Sequence, residues 1–297
     1  MSDAIVQEMW DDHVGWSRTA DRLKSRRSFW RTTVLLLIIV GAAAQTFAAS
    51  VPDEAVRLAA GVLGTLSLAA APFLTGNFLT PGQTRKWLRA RSVSEGIKSE
   101  IFTYRAGARP YQGPDALSRL HAKVKEVRDS ASDLAAERAI TGAPSEPAPD
   151  RLDPSRYIGD RVHQQVGQYY RPKARRAATL AVRFRWAEIA LTGAAALLAA
   201  LATSKLVPIQ LGPWVAVLTT IAGAIAAHAA ASRYDFEATT FYATARQLSD
   251  LEQGWQLNGA PASGEVWSDF VRACERVISA ENRDWMAKLD EQSKGGA

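Results

Sequence analysis

The chain reads as an all-α integral membrane protein whose four transmembrane helices form two hairpins. Three observations carry this reading. The apolar residues are gathered into four blocks instead of being scattered at helical or strand spacing. Each block approaches the roughly 20 residues needed to cross a bilayer. Basic residues crowd the outer flanks of each hairpin and are sparse in its turn. Averages hide this segregation: the 297 residues are 47% hydrophobic with a mean hydropathy of −0.12, unremarkable values for a soluble protein.

The first hairpin has spans at about 33–51 and 58–80, with a short break at Val51-Pro52-Asp53-Glu54-Ala55-Val56-Arg57. Arg18, Arg22, Lys24, Arg26, Arg27 and Arg31 precede it, and Arg85, Lys86, Arg89 and Arg91 follow it. Basic flanks are retained in the cytoplasm, so the termini are expected there and the turn outside. Ahead of the hairpin, Val6, Met9, Trp10, Val14, Trp16 and Leu23 suit an amphipathic approach helix, with Trp30 at interfacial depth. Behind it, Ala90, Val93, Ile97, Ile101 and Tyr104 mark a return helix that Gly107 and Pro110 should stop. Leu117, Leu120, Val124, Val127, Ala131 and Leu134 then form a short heptad seam that needs a partner helix, from this chain or a neighbouring subunit.

The second half repeats the order. After a Pro-rich linker at 141–153, Asp153-Pro154 reads as an N-cap followed by Pro at the first helical position. Ile158, Val162, Val166 and Tyr169 continue that helix, and a kink is expected at Pro172. Spans at about 187–204 and 207–231 make the second hairpin, with the turn at Lys205 to Pro213. Phe241, Ala245, Leu248, Leu251 and Trp255 give a further amphipathic helix, Gly259 to Gly264 break it, and Val266, Phe270, Cys274, Val277 and Ile278 define the last one. The layout divides the chain into a first two-span module (1–140), the linker and a second module (154–297), a tandem duplication inferred from order more than identity.

The formal charge of +6 lies beside the apolar blocks and points to an anionic lipid membrane as partner, at roughly 1 kcal/mol per basic residue near the surface. No motif for nucleic acid accompanies it. A Gly-rich phosphate loop, HExxH, paired CxxC and a nucleophile elbow are all missing. The four histidines are far apart in sequence, and one cysteine allows no internal disulfide. The sequence therefore predicts no enzyme, no cofactor and no metal site. Inside the spans, Gln45, Asn77, Thr219, Thr220 and His228 are the candidate pore or intramembrane polar residues, for which interhelical hydrogen bonding or an interfacial position is the alternative. Of these, His228 combines polarity with a charge sensitive to mild acid.

Two cytoplasmic stretches carry a resemblance. WLRARSVSEGIKSEIFTYRAGARPY at Trp87 to Tyr111 and YIGDRVHQQVGQYYRPKARRA at Tyr157 to Ala177 are similar to the motifs of the SLATT family, two-transmembrane domains that associate with nucleotide-producing and nucleotide-sensing proteins. The matching positions are Trp87, Arg91, Ser94, Glu95, Lys98, Ser99, Glu100, Phe102, Tyr104, Arg105, Pro110 and Tyr111 in the first, and Tyr157, Arg161, Gln165, Tyr170, Lys173 and Ala174 in the second. Pro172 departs from the family's smooth helix. The resemblance implies two tandem copies and an oligomeric, pore-forming or membrane-perturbing effector of a bacterial conflict or defence system in the inner membrane, answering to a partner protein or nucleotide signal. The alternative is a membrane-anchored scaffold whose cytoplasmic helices bind a partner protein. Four spans enclose no generous water path, so conduction implies a homo-oligomer.

Overall fold

The computed structural model describes residues 2–139, 146–204 and 211–294, with side chains up to residue 280. Parts of the expected linker (141–145) and of the second turn (205–210) lie outside the described residues. Within these limits the chain is helical and contains no strand. The helices are α1 (Ser2–Ser50), α2 (Glu54–Phe78), α3 (Pro81–Arg105), α4 (Ala116–Asp129), α5 (Ala135–Ala139), α6 (Pro154–Tyr157), α7 (Arg171–Thr203), α8 (Gly212–Ser232), α9 (Tyr234–Leu257) and α10 (Gly264–Lys294). Ser132–Leu134 form a 3₁₀ turn, and Ile158–His163 and Gln165–Tyr170 are π-helical, so that α6 leads without interruption into α7.

Local chemistry explains most of the boundaries. Asp53 caps α2 by accepting from Val56 N–H at 2.9 Å, and Asp153 caps α6 by accepting from Arg156 N–H at 2.9 Å, with Pro154 following where a missing N–H costs nothing. Gly107, at φ +63, takes the left-handed conformation that ends the turn after α3. Pro172 lies inside α7. The chain remains helical through it, preceded by the two wider π-helical segments; loosened turns are one way a helix accommodates a residue that cannot donate. The seam after Pro114 is not one helix. Ser130 Oγ donates to the Val127 carbonyl at 2.6 Å and Arg89 Nη2 donates to the Ser130 carbonyl at 2.7 Å, groups that compete with continuation of α4.

The residues fall into two compact units. The first unites residues 1–25, 81–174 and 239–297, and so draws on the start, middle and end of the chain. Its core contains Val6, Met9, Trp10 and Val14 of α1, Val93, Ile97 and Ile101 of α3, Leu120 and Val124 of α4, Tyr157 and Val162, Leu248 of α9, and Val271, Cys274 and Ile278 of α10. The seam residues Leu120, Val124, Ala131 and Leu134 are buried there, so their partner helices belong to the same chain. Helix α10 packs chiefly along α3, and Trp267 Nε1 donates to the Ala106 carbonyl at 2.8 Å. Leu152 N–H donates to the Arg105 carbonyl at 2.9 Å, fixing the end of the linker to the same body.

The second unit, residues 26–80 and 175–238, contains the apolar portions of four helices long and apolar enough to cross a membrane. Gly41 faces Leu68 and Gly64 faces Gln45, approaches that a β-carbon would obstruct. Around them the large side chains point outward: Leu58, Leu66, Phe73 and Leu197 are 68%, 64%, 65% and 69% exposed. So much bare apolar surface would be an aggregation hazard in water and is what lipid solvates. This is an all-α membrane protein.

Candidate functional site

Two places hold polar groups at depth, one in each unit. In the spans, Gln45 is already engaged: its Nε2 donates to the Gly61 carbonyl at 3.0 Å and to Thr65 Oγ1 at 2.7 Å, linking α1 to α2. Asn77 is exposed near the end of α2 and donates to the Phe73 carbonyl of its own helix at 2.8 Å. Thr219 and Thr220 are exposed on α8 and back-bond to Val215 and Ala216 at 2.9 Å each. His228 is half-buried, its ring 5.2 Å from that of Phe184 on α7, and its Nδ1 is buried without a hydrogen-bond partner among the described residues. These five residues do not converge in a shared hydrogen-bonded cluster.

The family-motif residues do converge. Helix α3 presents Arg91, Glu95 and Lys98 at successive turns, while the π-helical run after α6 presents Arg161. Arg161 is 1% exposed. Its Nε and Nη2 donate to the two carboxylate oxygens of Glu275 on α10 at 2.9 and 2.7 Å, Tyr157 donates to the same carboxylate at 3.0 Å, and its guanidinium lies 4.5 Å from the Phe102 ring centre. Glu95 pairs with Arg91 at 2.8 Å. Burial pushes the Glu95 carboxyl up, but Arg91, Lys98 and Arg161 together prevail and hold it down at about 2. Lys98 is pushed below the usual lysine range by burial and then by the nearby Arg161.

His13 of α1 closes this cluster: its Nδ1 lies 2.9 Å from the Ser94 carbonyl, which can only accept, so that nitrogen carries a proton. Burial, then the charge of Lys98, pulls the His13 pKa down to about 4, and the ring stays neutral at physiological pH. On the neighbouring turns Arg91 Nη2 donates to Tyr169 Oη at 2.7 Å, and Lys173 Nζ sits 3.6 Å from the centre of the Tyr169 ring.

The remaining motif residues form a shell. Tyr111 donates to Glu100 at 2.6 Å, and burial raises both groups' pKa values. Tyr104 meets Tyr111 edge-on at 6.1 Å, Arg105 pairs with Asp3 at 2.9 Å, and Lys24 lies 5.6 Å from the Trp87 ring. Tyr170 is buried against Phe241, whereas Gln165 is half-buried on the π-helical run. Sequence reasoning missed Glu275 and His13. Glu275 had a legible signal: the spacing Val271, Glu275, Ile278 places it on the apolar stripe of α10. His13 had none, since its partner Ser94 is 81 residues away.

What this arrangement can do is limited by its composition. Its carboxylates are ion-paired, its imidazole is held neutral, and no group of three metal-ligating side chains occurs among the described residues. It is a buried polar network that fixes how α1, α3, α10 and the π-helical run meet.

The two halves of this network fall in separately recognisable segments. Residues 157–285 match the SMODS and SLOG-associating 2TM effector domain 1. Residues 14–118 match a family of proteins of unknown function, DUF4231. Neither a curated protein nor a solved structure matches the chain. The effector-domain match contains the Arg161–Glu275 pair and the second hairpin, and the DUF4231 match contains Arg91, Glu95 and Lys98 with the first hairpin and begins one residue after His13.

Proposed function

We propose that this protein is a membrane effector of a bacterial conflict system. The observation that carries the reading is the coincidence of a two-transmembrane effector-domain match with a second span-length hairpin in the same chain. The two hairpins with their flanking helices are read as two tandem modules, 1–140 and 154–297, both termini facing the cytoplasm of the inner membrane. Oligomers of the four-span unit perturb the bilayer or conduct, on a signal from a partner protein or nucleotide. The exposed Thr219 and Thr220 and the half-buried His228 then meet water or a neighbouring subunit.

The test is electrical. Expression in cells with a potential-sensitive dye, and flux assays on the purified protein in liposomes, should show depolarisation and ion leakage. Thr219→Val should change the size of the flux, and His228→Ala its dependence on mild acid. A folded, correctly inserted protein that leaves the potential and the liposomes intact with its partner present defeats this reading. The scaffold reading then stands, and Gln45 favours it: this polar side chain in the middle of the first hairpin is engaged in holding that hairpin together.

A further inference from the structure

At one end of the four-span unit, charged groups from the first and fourth spans meet. Arg27 and Arg31 lie one turn apart on α1 and are both half-buried. Arg31 Nη1 donates to Ser232 Oγ in the last turn of α8 at 3.2 Å. Next comes Arg233, at φ 54, whose left-handed backbone ends α8 with its N–H shared between the Ala229 and Ala230 carbonyls. The Arg233 guanidinium lies 5.9 Å from the Phe236 ring centre. Arg27 interacts electrostatically with Arg31, Glu237 and Arg233. The guanidiniums of Arg27, Arg31 and Arg233 therefore share a half-buried place with Glu237. Burial and then the charge of Arg31 pull the Arg27 pKa down to about 10.

The depth of this cluster indicates what it could bind. Trp30, next to Arg31, stacks on Phe78 at 4.2 Å, and Arg26 lies 5.9 Å from the same Phe78 ring. Stacked aromatics at the end of a span belong at headgroup level. Phe29 beside them is 61% exposed and offers apolar surface to an acyl chain.

We propose that Arg27, Arg31 and Arg233 form a binding site for the phosphate of an anionic lipid headgroup. Guanidinium forks match phosphate oxygens in pairs, and three of them are gathered here at the end of the spans. The site rests on the membrane reading above. A free phosphate offers the same chemistry, but only a lipid also uses the apolar surface at Phe29 and Trp30.

The experiment counts bound lipid. Protein from nanodiscs of phosphatidylcholine, with or without phosphatidylglycerol, is examined by native mass spectrometry. The wild type should retain phosphatidylglycerol in preference to phosphatidylcholine. Arg27→Gln with Arg31→Gln should lower that retention by roughly tenfold for each guanidinium lost, and Arg57→Gln, in the turn-proximal end of α2, should not. Unchanged retention in the double variant, or equal loss in Arg57→Gln, overturns the site. Binding of inorganic phosphate in detergent with no preference for phosphatidylglycerol overturns the lipid assignment. If the double variant does not fold, Arg27→Lys with Arg31→Lys keeps the charge without the forks and should retain less lipid than the wild type; equal retention overturns the proposal. Release of the wild-type protein from membranes by alkaline carbonate would instead sink the membrane reading itself.

Discussion

Arg161 and Glu275 form a two-point ion pair, at 2.9 and 2.7 Å, in which neither side chain has more than 5% of its surface open to solvent. Taking both charges out of water is expensive, and the Tyr157 hydroxyl and the Phe102 ring offset part of that cost. The asymmetry between breaking and replacing such a pair gives the first prediction.

Glu275→Ala leaves a buried guanidinium without its countercharge and should cost about 3–5 kcal/mol of stability, while Arg161→Met with Glu275→Leu should cost much less. Thermal unfolding in detergent, followed by circular dichroism, measures both. Equal losses in the single and double variants would show that the pair is not the buried unit described.

His13 predicts a pH dependence. Its folded pKa of about 4 lies below the ordinary 6.5, so between these values the unfolded chain binds the extra proton. The stability held by neutral His13 is therefore complete above pH 6.5 and is lost as pH falls toward 4, by at most about 3 kcal/mol. Glu95, held down at about 2 from 4.5, adds its own loss only below pH 4.5. Melting temperatures across this range should fall less for His13→Asn than for the wild type, and parallel curves would remove His13 from the account.

The small residues of the two hairpins should respond differently. A β-carbon at Gly64 would lie 2.8 Å from Gln45 Cγ and 3.0 Å from its backbone nitrogen, and one at Gly41 would lie 2.6 Å from Leu68 Cγ. Gly193 and Gly223 have nothing within 4 Å. Alanine at 41 or 64 should cost about 1–3 kcal/mol, whereas alanine at 193 or 223 should leave the protomer unaffected. Resistance to unfolding in mixed micelles ranks the four variants. A loss at 193 or 223 confined to oligomer size would mark that face as a subunit contact.

Topology can be read by thiol labelling, because the native Cys274 is fully buried and its pKa is raised by burial. A cysteine placed at Asp53 should react with an impermeant reagent on intact cells, and one at Glu146 only after permeabilisation. The reverse pattern would turn the proposed orientation over.

The spans were legible because lipid imposes a one-dimensional rule: a helix must stay apolar for its whole crossing, and the blocks at 33–51 and 58–80 do so without any tertiary information. Helix ends were equally local, as Asp153 with Pro154 and Gly107 show. The heptad spacing identified the buried face of α4, although the break at Ser130 escaped it, because Arg89 reaches that carbonyl from another helix. Partners of the motif residues were beyond reach for the same reason. Arg161 on a helix surface and Arg161 locked to Glu275 have the same local sequence, and 114 residues separate the two.

That separation sets an order on biosynthesis. Chains emerge N-terminus first, so all four spans are made while Arg161 still waits for a carboxylate from α10. A ribosome that stalls or a protease that clips before residue 275 leaves a product with inserted spans and an open helical body, its Arg161 unable to enter an apolar core. The body is thus a check on synthesis: only a chain translated through α10 can close it.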